Sequence, residues 1–330
     1  MSHSKPKVLI LSPTYNESQS VESYFRQIEP VIFEAETKYG VSISIKIVDN
    51  CSLDSTFTKL CQEARKYPQL SVDILSWVRN YGVMTSVLGG LLESNSDAVF
   101  FIDFDLQDPP NLLIQFIENW LSGYSFVYGS RQKRNELLVI RTLRKLFLSV
   151  AKRLKVNSTI PVESGVWLMD SSVIDDIKEN PPASKYLAGT FGRRGYASTF
   201  IPYERNTRSH GESKFSIPKY INYGLEALSS NPFRFARLLV ATSLVTLFIG
   251  FAAEVFLLLN RYFLDVDIPN GIISLIGMQV ISFSLLFLSI GFIGEYVSRI
   301  YDAAVRPQVP VAKLFYSQGK SVRPRKKHLK

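Results

Sequence analysis

Cysteine is scarce in this 330-residue chain. Only Cys51 and Cys61 occur, too few for a disulfide scaffold and without metal-ligand spacing around them. Charge is missing from one long stretch and nearly missing from another. Asn270 to Gly294 holds no charged residue, and Ala236 to Asn260 holds only Arg237, next to its start, and Glu254. Acidic residues are absent from 303–330, which carry 8 basic ones. Met1–Lys7 lacks the apolar stretch of a signal peptide. With 46% apolar residues, the chain is too hydrophobic for a disordered protein. Its length suits one large domain or two modest ones.

What charge there is sits unevenly. The formal net charge is +9, yet residues 1–130 sum to −6, with 9 basic and 15 acidic residues. Residues 131–155 sum to +8, 156–302 to −1 and 303–330 to +8. Two short basic stretches on a mildly acidic background do not match a nucleic-acid binder, which spreads basic residues across a face of its domain. No nucleic-acid partner is expected.

Each of the two apolar runs has 25 residues, about 37 Å as helix, against a hydrocarbon core of roughly 30 Å. This predicts transmembrane helices at 236–260 and 270–294. The connection Arg261–Pro269 is short and nets −1, while Arg234, Arg299, Arg306 and the end Arg323–Lys330 lie outside the pair and Arg237 sits at the outer end of the first run. The positive-inside rule then places both flanks, both termini and residues 1–235 in the cytosol. Glu254 reads as a functional intramembrane acid or as part of a helix or subunit interface, and the interface is favoured.

Over the first 130 residues, short apolar runs alternate with amphipathic segments. Val8–Leu11, Ile43–Val48, Val72–Leu75, Val99–Ile102 and Phe126–Tyr128 predict strands, with helices near 18–38, 55–66, 84–95 and 111–122. The alternation predicts an α/β domain with a mostly parallel sheet. Polar clusters follow the strands at Pro13–Glu17, Asp49–Asp54 and Asp103–Asp108. Ligands bind beyond the carboxyl ends of such strands, so these clusters mark the site.

The most informative cluster is Asp103-Phe104-Asp105-Leu106-Gln107-Asp108-Pro109-Pro110. Asp103 and Asp105 alternate in an extended segment and can share one ligand. Two hard carboxylates beside a cleft suit Mg²⁺ or Mn²⁺ carrying a diphosphate. Pro109 and Pro110 suit a helix start, with Asp108 as its cap.

The strings Pro13-Thr14-Tyr15-Asn16-Glu17, Val48-Asp49, Ser52-x-Asp54-x-Thr56, Arg79-Asn80-Tyr81-Gly82 and Asp103–Pro110 occur in order. Arg205-x-x-Arg208-x-x-Gly211-Glu212-Ser213-Lys214-Phe215 and Gly294-Glu295-Tyr296-x-x-Arg299-x-Tyr301 follow them. The set resembles the family 2 glycosyltransferases of GT-A fold, in particular the dolichyl-phosphate mannose synthase and bactoprenol-phosphate glucosyltransferase group. The resemblance runs over nearly residues 7–307. It implies a GT-A, Rossmann-like cytosolic domain at 1–215 containing a basic interfacial segment at 131–155. A juxtamembrane helix at 216–235, the two-helix hairpin and a basic cytosolic tail at 295–330 complete the implied organisation. The implied setting is the bacterial inner membrane and the modification of cell-envelope polysaccharide, with homo-oligomers formed through the hairpin.

The resemblance also assigns roles. Pro13, Tyr15, Glu17, Asp49 and Arg79 would hold the nucleoside, with Asp49 at the base edge. Asp103 would lie by the ribose and diphosphate, Asp105 would bind the metal and Gln107 would lie beside them. Arg205, Arg208, Ser213 and Lys214 would close over phosphates, and Arg131 would meet the lipid phosphate. The implied reaction is inverting, metal-dependent transfer of one sugar from a UDP-hexose such as UDP-glucose to polyprenyl (undecaprenyl) phosphate.

Asn50 and Cys51 stand where the family has Asp-Gly, and Val83 where it often has Lys. Glu163 and Val166 replace the acids of an Asp-x-Gly-Asp string, Glu163 keeping a carboxylate near the acceptor site. These departures keep open a non-catalytic membrane scaffold or partner subunit, and GDP-mannose or another acceptor remains an alternative. A processive polysaccharide synthase is disfavoured because its Gln-x-x-Arg-Trp string is absent.

Leu143, Leu146, Phe147, Val150 and Leu154 repeat with helical spacing among Arg141, Arg144, Lys145, Lys152, Arg153 and Lys155. That pattern predicts an amphipathic helix on an anionic membrane surface, and Ile217–Ser229 predicts a second interfacial segment. Replacing Arg141, Arg144 and Lys145 together by Glu is expected to raise the KM for lipid acceptor more than that for donor. Unchanged acceptor saturation would refute the assignment.

Overall fold

The computed structural model describes residues 5–132, 165–179, 195–205, 255, 259, 263, 271–304, 309–317 and 323–324. The chain forms two compact units. One comprises Met1–Leu137, Asn157–Lys214 and Pro307–Lys330; the other comprises Leu138–Val156 and Phe215–Arg306.

In the first unit, β1 (Lys7–Thr14), β2 (Ser42–Asp49), β3 (Ser71–Trp77) and β4 (Ala98–Phe101) alternate with α1 (Val21–Tyr39), α2 (Thr56–Ala64) and α3 (Val83–Leu92). Then come α4 (Leu112–Leu121), β5 (Phe126–Arg131), β6 (Trp167–Asp170), α5 (Ser171–Glu179) and β7 (Ser198–Tyr203). The sheet closes with β8 (Ala312–Ser317) and β9 (Arg323–Pro324), in the order β7-β5-β6-β4-β1-β2-β3-β8-β9. β1 pairs in parallel with β2 and β4, and β2 with β3. β6 runs antiparallel between β4 and β5, and β7 is parallel to β5. The mostly parallel α/β sheet expected from the sequence is present, and each expected strand and helix in residues 7–131 has a counterpart.

The strands read as continuous apolar runs because helices cover both faces. Val8 and Ile10 of β1 face a core shared with α1, α2 and α4, whereas Leu9 and Leu11 face one shared with α3 and α5. In α1, Val21, Tyr24, Phe25, Ile28, Val31, Ile32 and Ala35 keep helical spacing and are buried. The helix stops at Gly40, whose φ of 66° lets its N–H bond the Glu36 carbonyl at 3.0 Å.

Two features depart from the sequence reading. Val166 is fully buried in the first core, so a carboxylate there would be placed in an apolar layer. Ala312–Ser317, expected within a basic tail, instead pairs antiparallel with β3, burying Ala312 and Tyr316. The Ala-Lys-Leu-Phe-Tyr-Ser segment places its apolar residues against the sheet and leaves Lys313 in water.

In the second unit, α6 (Ile272–Ala304) is a single helix of 33 residues. Taken over the residues whose side chains are described, no helix is long and apolar enough to cross a membrane. The expected span 236–260 lies outside the described residues except for Val255 and Leu259. The interfacial segments 131–155 and Ile217–Ser229 also lie outside them, apart from Arg131 and Gln132.

Gly90 sets the closest approach of α3 to the sheet. A Cβ there would lie 2.6 Å from Leu11 Cδ1 and 3.2 Å from Val48 Cγ1. Gly90→Val is therefore expected to destabilise the domain by about 1–3 kcal/mol through overpacking. Chemical unfolding of the purified protein checks this, and an unchanged midpoint would contradict the packing.

Candidate active site

The carboxyl ends of β1–β4, β5 and β7 lie on one edge of the sheet, the edge where parallel α/β sheets bind ligands. The backbone is strained there. Asn16, Cys51 and Leu106 have φ of 53°, 62° and 47°, and each lies in a loop following β1, β2 or β4. Residues other than glycine rarely adopt this region, and such positions concentrate at functional sites.

Side chains hold these loops in place. Asn16 N–H donates to Ser52 Oγ at 2.9 Å, and Leu53 N–H donates to Asn16 Oδ1 at 2.8 Å. Glu17 N–H donates to Thr56 Oγ1 at 2.9 Å, while Glu17 Oε2 accepts from the Ser20 hydroxyl at 3.1 Å. Asp49 is buried; Oδ1 accepts the Ser52 N–H at 3.1 Å and Oδ2 the Ser76 hydroxyl at 2.7 Å. Pro13, next to last in β1, is buried, and Tyr15 is partly exposed just beyond the strand. Arg79 lies exposed, its guanidinium 4.7 Å from the centre of the Tyr81 ring.

Asn50 has a visible task. Its amide donates to Asn80 Oδ1 at 2.8 Å, and its carbonyl accepts the Tyr81 N–H at 2.9 Å. The residue that departs from the family pattern thus fastens the Arg79 loop to the end of β2. Val83 opens α3 immediately after that loop and is 48% exposed.

The acidic loop after β4 is the centre of the edge. Asp105 keeps both oxygens oriented by one neighbour, with Gln107 Nε2 donating to Oδ2 at 2.9 Å and Gln107 N–H to Oδ1 at 3.2 Å. Asp103 Oδ2 lies 3.6 Å from Arg205 Nη2, and its side chain is 34% exposed. Burial, then the charges of Asp108 and Asp105, push the Asp103 carboxyl up to about 7 against the pull of Arg205 and Arg131. With a third of the side chain in water, the mutual repulsion of the acids is the firmer part of that push. Three carboxylates on one short loop make it a place where added positive charge is favourable.

Asp108 does not cap a helix. It is fully buried, and α4 begins later, at Leu112 with Asn111 at its N-cap position. The acid accepts from Tyr203 Oη at 2.8 Å on Oδ1 and from Arg131 Nη2 at 3.2 Å on Oδ2. Arg131 Nε donates to Tyr203 Oη at 2.9 Å, which closes the triangle. Arg205 Nε lies 3.2 Å from Asp108 Oδ1, close enough for charge attraction but without hydrogen-bond alignment. Local chemistry favoured a cap at this residue; burial among two guanidiniums decided otherwise, because an unpaired buried carboxylate is costly. Burial first, and Asp108 next, push the Tyr203 phenol upward, so it stays protonated and donates.

Gly165 leaves room for this cluster. A Cβ there would overlap Arg131 Nη2 and come within 2.6 Å of Asp108 Oδ2. Asp103, Asp105, Gln107, Arg131 and Arg205 are thereby brought together, while Pro13, Tyr15, Glu17, Asp49 and Arg79 line the neighbouring loops. Glu163, Arg208, Ser213 and Lys214 lie outside the described residues. Sequence reasoning missed Tyr203 and the true task of Asp108; the Tyr203-x-Arg205 spacing at the end of β7 was the available signal.

Asp103 and Asp105 supply hard, partly exposed oxygens, the donor type Mg²⁺ and Mn²⁺ prefer. Among the described residues no group of three or more His, Cys, Asp or Glu side chains is placed to hold a metal. An ion here would draw its remaining ligands from a bound diphosphate and water, as Mg²⁺ commonly does.

The α/β sheet and its acidic edge are of the GT-A type. The chain belongs to glycosyl transferase family 2, whose sequence profile matches residues 9–177, and it is a glycosyltransferase. An uncharacterized glycosyltransferase of Synechocystis is 31% identical, with the alignment covering 93% of this chain and 95% of that protein. The undecaprenyl-phosphate 4-deoxy-4-formamido-L-arabinose transferase of Edwardsiella ictaluri is 30% identical, over 91% of this chain and 92% of its own length. Glucosyl-3-phosphoglycerate synthase of Mycobacterium tuberculosis, solved with Mn²⁺, UDP and glucosyl-3-phosphoglycerate, shares the fold. Its TM-score is 0.51 at 17% identity, covering 70% of this chain and 80% of the other.

Removing the Asp108 charge would leave Arg131, only 18% exposed, without its anion. Asp108→Ala is expected to destabilise the domain by about 3 kcal/mol, and Tyr203→Phe by about 1 kcal/mol. Denaturant unfolding of the purified variants reads both, and equal losses would contradict the arrangement.

Proposed function

We propose that this protein transfers a single sugar from a nucleotide-diphosphate sugar, a UDP-hexose such as UDP-glucose, to polyprenyl phosphate. The observation that carries the reading is the meeting of Arg205 with Asp103, and of Arg205 and Arg131 with Asp108, on the loop that also carries Asp105. Relatives named undecaprenyl-phosphate sugar transferases, aligned over more than nine-tenths of the chain, support the acceptor class.

The chemistry asks little of a general base. A phosphate oxygen of the acceptor, already ionised near neutral pH, bonds to the anomeric carbon as the bond from that carbon to the diphosphate oxygen breaks. The diphosphate departs with the electron pair, and a single displacement inverts the anomeric centre. Arg131 and Arg205, 18% and 27% exposed, present fixed cations to incoming and departing phosphates. Asp108 and Tyr203 hold Arg131 in place, which limits the reorganisation needed when the anions arrive. Asp105, with Asp103, would hold Mg²⁺ or Mn²⁺, which when bound neutralises charge on the diphosphate. Arg208, Ser213 and Lys214 close over the phosphates, and Glu163 shapes the acceptor side. The nucleoside lies against Pro13, Tyr15, Glu17, Asp49 and Arg79.

We place the protein in the bacterial inner membrane, with the catalytic unit and both termini cytosolic and the helices 236–260 and 270–294 as its anchor. The uncharged run 272–294 within α6 supports this. So does the exposure of Phe283, Leu286, Ile290, Ile293, Val297 and Ile300, spaced alternately three and four apart. Such a stripe suits lipid or a second copy of the hairpin. The basic stretches at 131–155 and 303–330 then face anionic headgroups.

A second reading concerns the sugar alone. The names of several relatives specify 4-deoxy-4-formamido-L-arabinose rather than a hexose. Purified protein, undecaprenyl phosphate and a panel of nucleotide sugars, with lipid products read by mass, distinguish the two. A lipid-linked hexose is expected, and Asp105→Ala is expected to lose at least about a hundredfold in rate. Absence of any lipid-linked product, or full activity of Asp105→Ala with Mn²⁺, would overturn the reading.

A further inference from the structure

The strand that follows α6 in the chain is built into the edge that carries Arg79. β8 lies antiparallel on β3, with Trp77 opposite Ala312 and a register irregularity at Ser76/Trp77. One residue beyond the end of β3, Val78 N–H donates to the Val311 carbonyl at 3.0 Å. Pro310 packs at the same end, its Cγ only 2.9 Å from where a Gly89 Cβ would sit, and Trp77 Cζ2 is equally close to that point. Trp77 is fully buried. The Pro310 ring therefore packs on α3 at Gly89, where the last residue of β3 also packs, and the carbonyl of the next residue, Val311, latches the loop that leaves β3.

That loop, Val78–Gly82, is also gripped by the residues that follow β2. Asn50 bonds Asn80 and Tyr81, and Asn80 Oδ1 also accepts the Gly82 N–H at 2.9 Å. The Cys51 thiol lies 3.9 Å from the Val78 carbonyl. The two grips differ in origin. Asn50 is local to the nucleotide edge, whereas Val311 arrives from the far end of the sequence, a few residues after α6 ends at Ala304.

We infer that the segment Pro310–Val311 positions the Val78–Gly82 loop for the nucleotide donor, so that the part of the chain following α6 is a component of the donor site. Neither residue touches substrate in this reading; both act through the backbone at Val78 and hence through Arg79. The inference rests on the proposed role of Arg79 in holding the nucleoside. A loop latched at two points loses less freedom when a ligand binds than one latched at a single point, and this sets donor affinity rather than the chemical step.

The test uses the full-length protein. Pro310→Gly removes the ring packed on α3 and frees the backbone next to Val311, while keeping β8. The expected result is a rise on the order of tenfold in the KM for the nucleotide sugar and in the Kd for UDP, with kcat and the acceptor KM unchanged. A merely structural role would lower the fraction of active protein and leave both KM values as they are. Removal of residues 307–330 should weaken UDP more strongly, and if that shortened chain does not fold, Pro310→Gly alone decides. UDP affinity unchanged in Pro310→Gly overturns the inference while leaving the donor reading intact. Failure of the parent protein itself to bind UDP overturns the donor reading instead.

Discussion

A carboxylate with no contact with water has to be surrounded by donors. Asp108 is such a group, and the geometry of the acidic edge follows from how it is satisfied. Its partners do not come from neighbouring residues. Arg131 ends β5 and Tyr203 ends β7, strands that lie beyond β6 from the loop in which Asp108 sits. The acidic loop is thereby tied across the sheet to the cations that face it. Gly165, just before β6, supplies the space in which the tie is made. Asp103 and Asp105, on the same loop, inherit a fixed position from a side chain that never reaches solvent.

Much of the architecture was readable from the chain because local pattern and final environment agree. The strands β1 to β5 are apolar runs with helices between them, and their burial on both faces is what such runs require. Asp103, Asp105 and Gln107 were readable for a similar reason, since their contacts are made within a few residues. Asp108 was not. Ahead of Pro109-Pro110 it has the chemistry of a helix cap, and only partners 23 and 95 residues away give it another fate. β6 is four residues long and β8 lies in a basic stretch, so neither announces itself by periodicity. Val166 shows the reverse case. It looked like a lost acid when compared with relatives, yet its side chain belongs to the core.

The left-handed residues Asn16, Cys51 and Leu106 give the edge a second property. Each costs conformational energy, and the loops around Asn16 and Cys51 are held by side-chain hydrogen bonds to a neighbouring loop. Leu106 is held instead by burial and by the turn that returns its N–H to the Asp103 carbonyl. A binding edge built this way is preorganised: the cost of its shape is met on folding, and the ligand meets loops already in position.

The pairing of β3 with β8 also has a consequence for how the protein is made. β3 is complete once Trp77 has been synthesised, but its outer edge can be covered only after Ala312–Ser317 leaves the ribosome. Everything in the second unit between Phe215 and Arg306 is made in the interval. During that time the nascent domain carries an unpaired edge, the kind of surface that recruits other strands. Completion of the sheet is therefore a late folding event, with the largest sequence separation of any strand pair among the described residues. A domain whose early strand waits for a late one reports, by finishing its sheet, that the segment between them has been delivered.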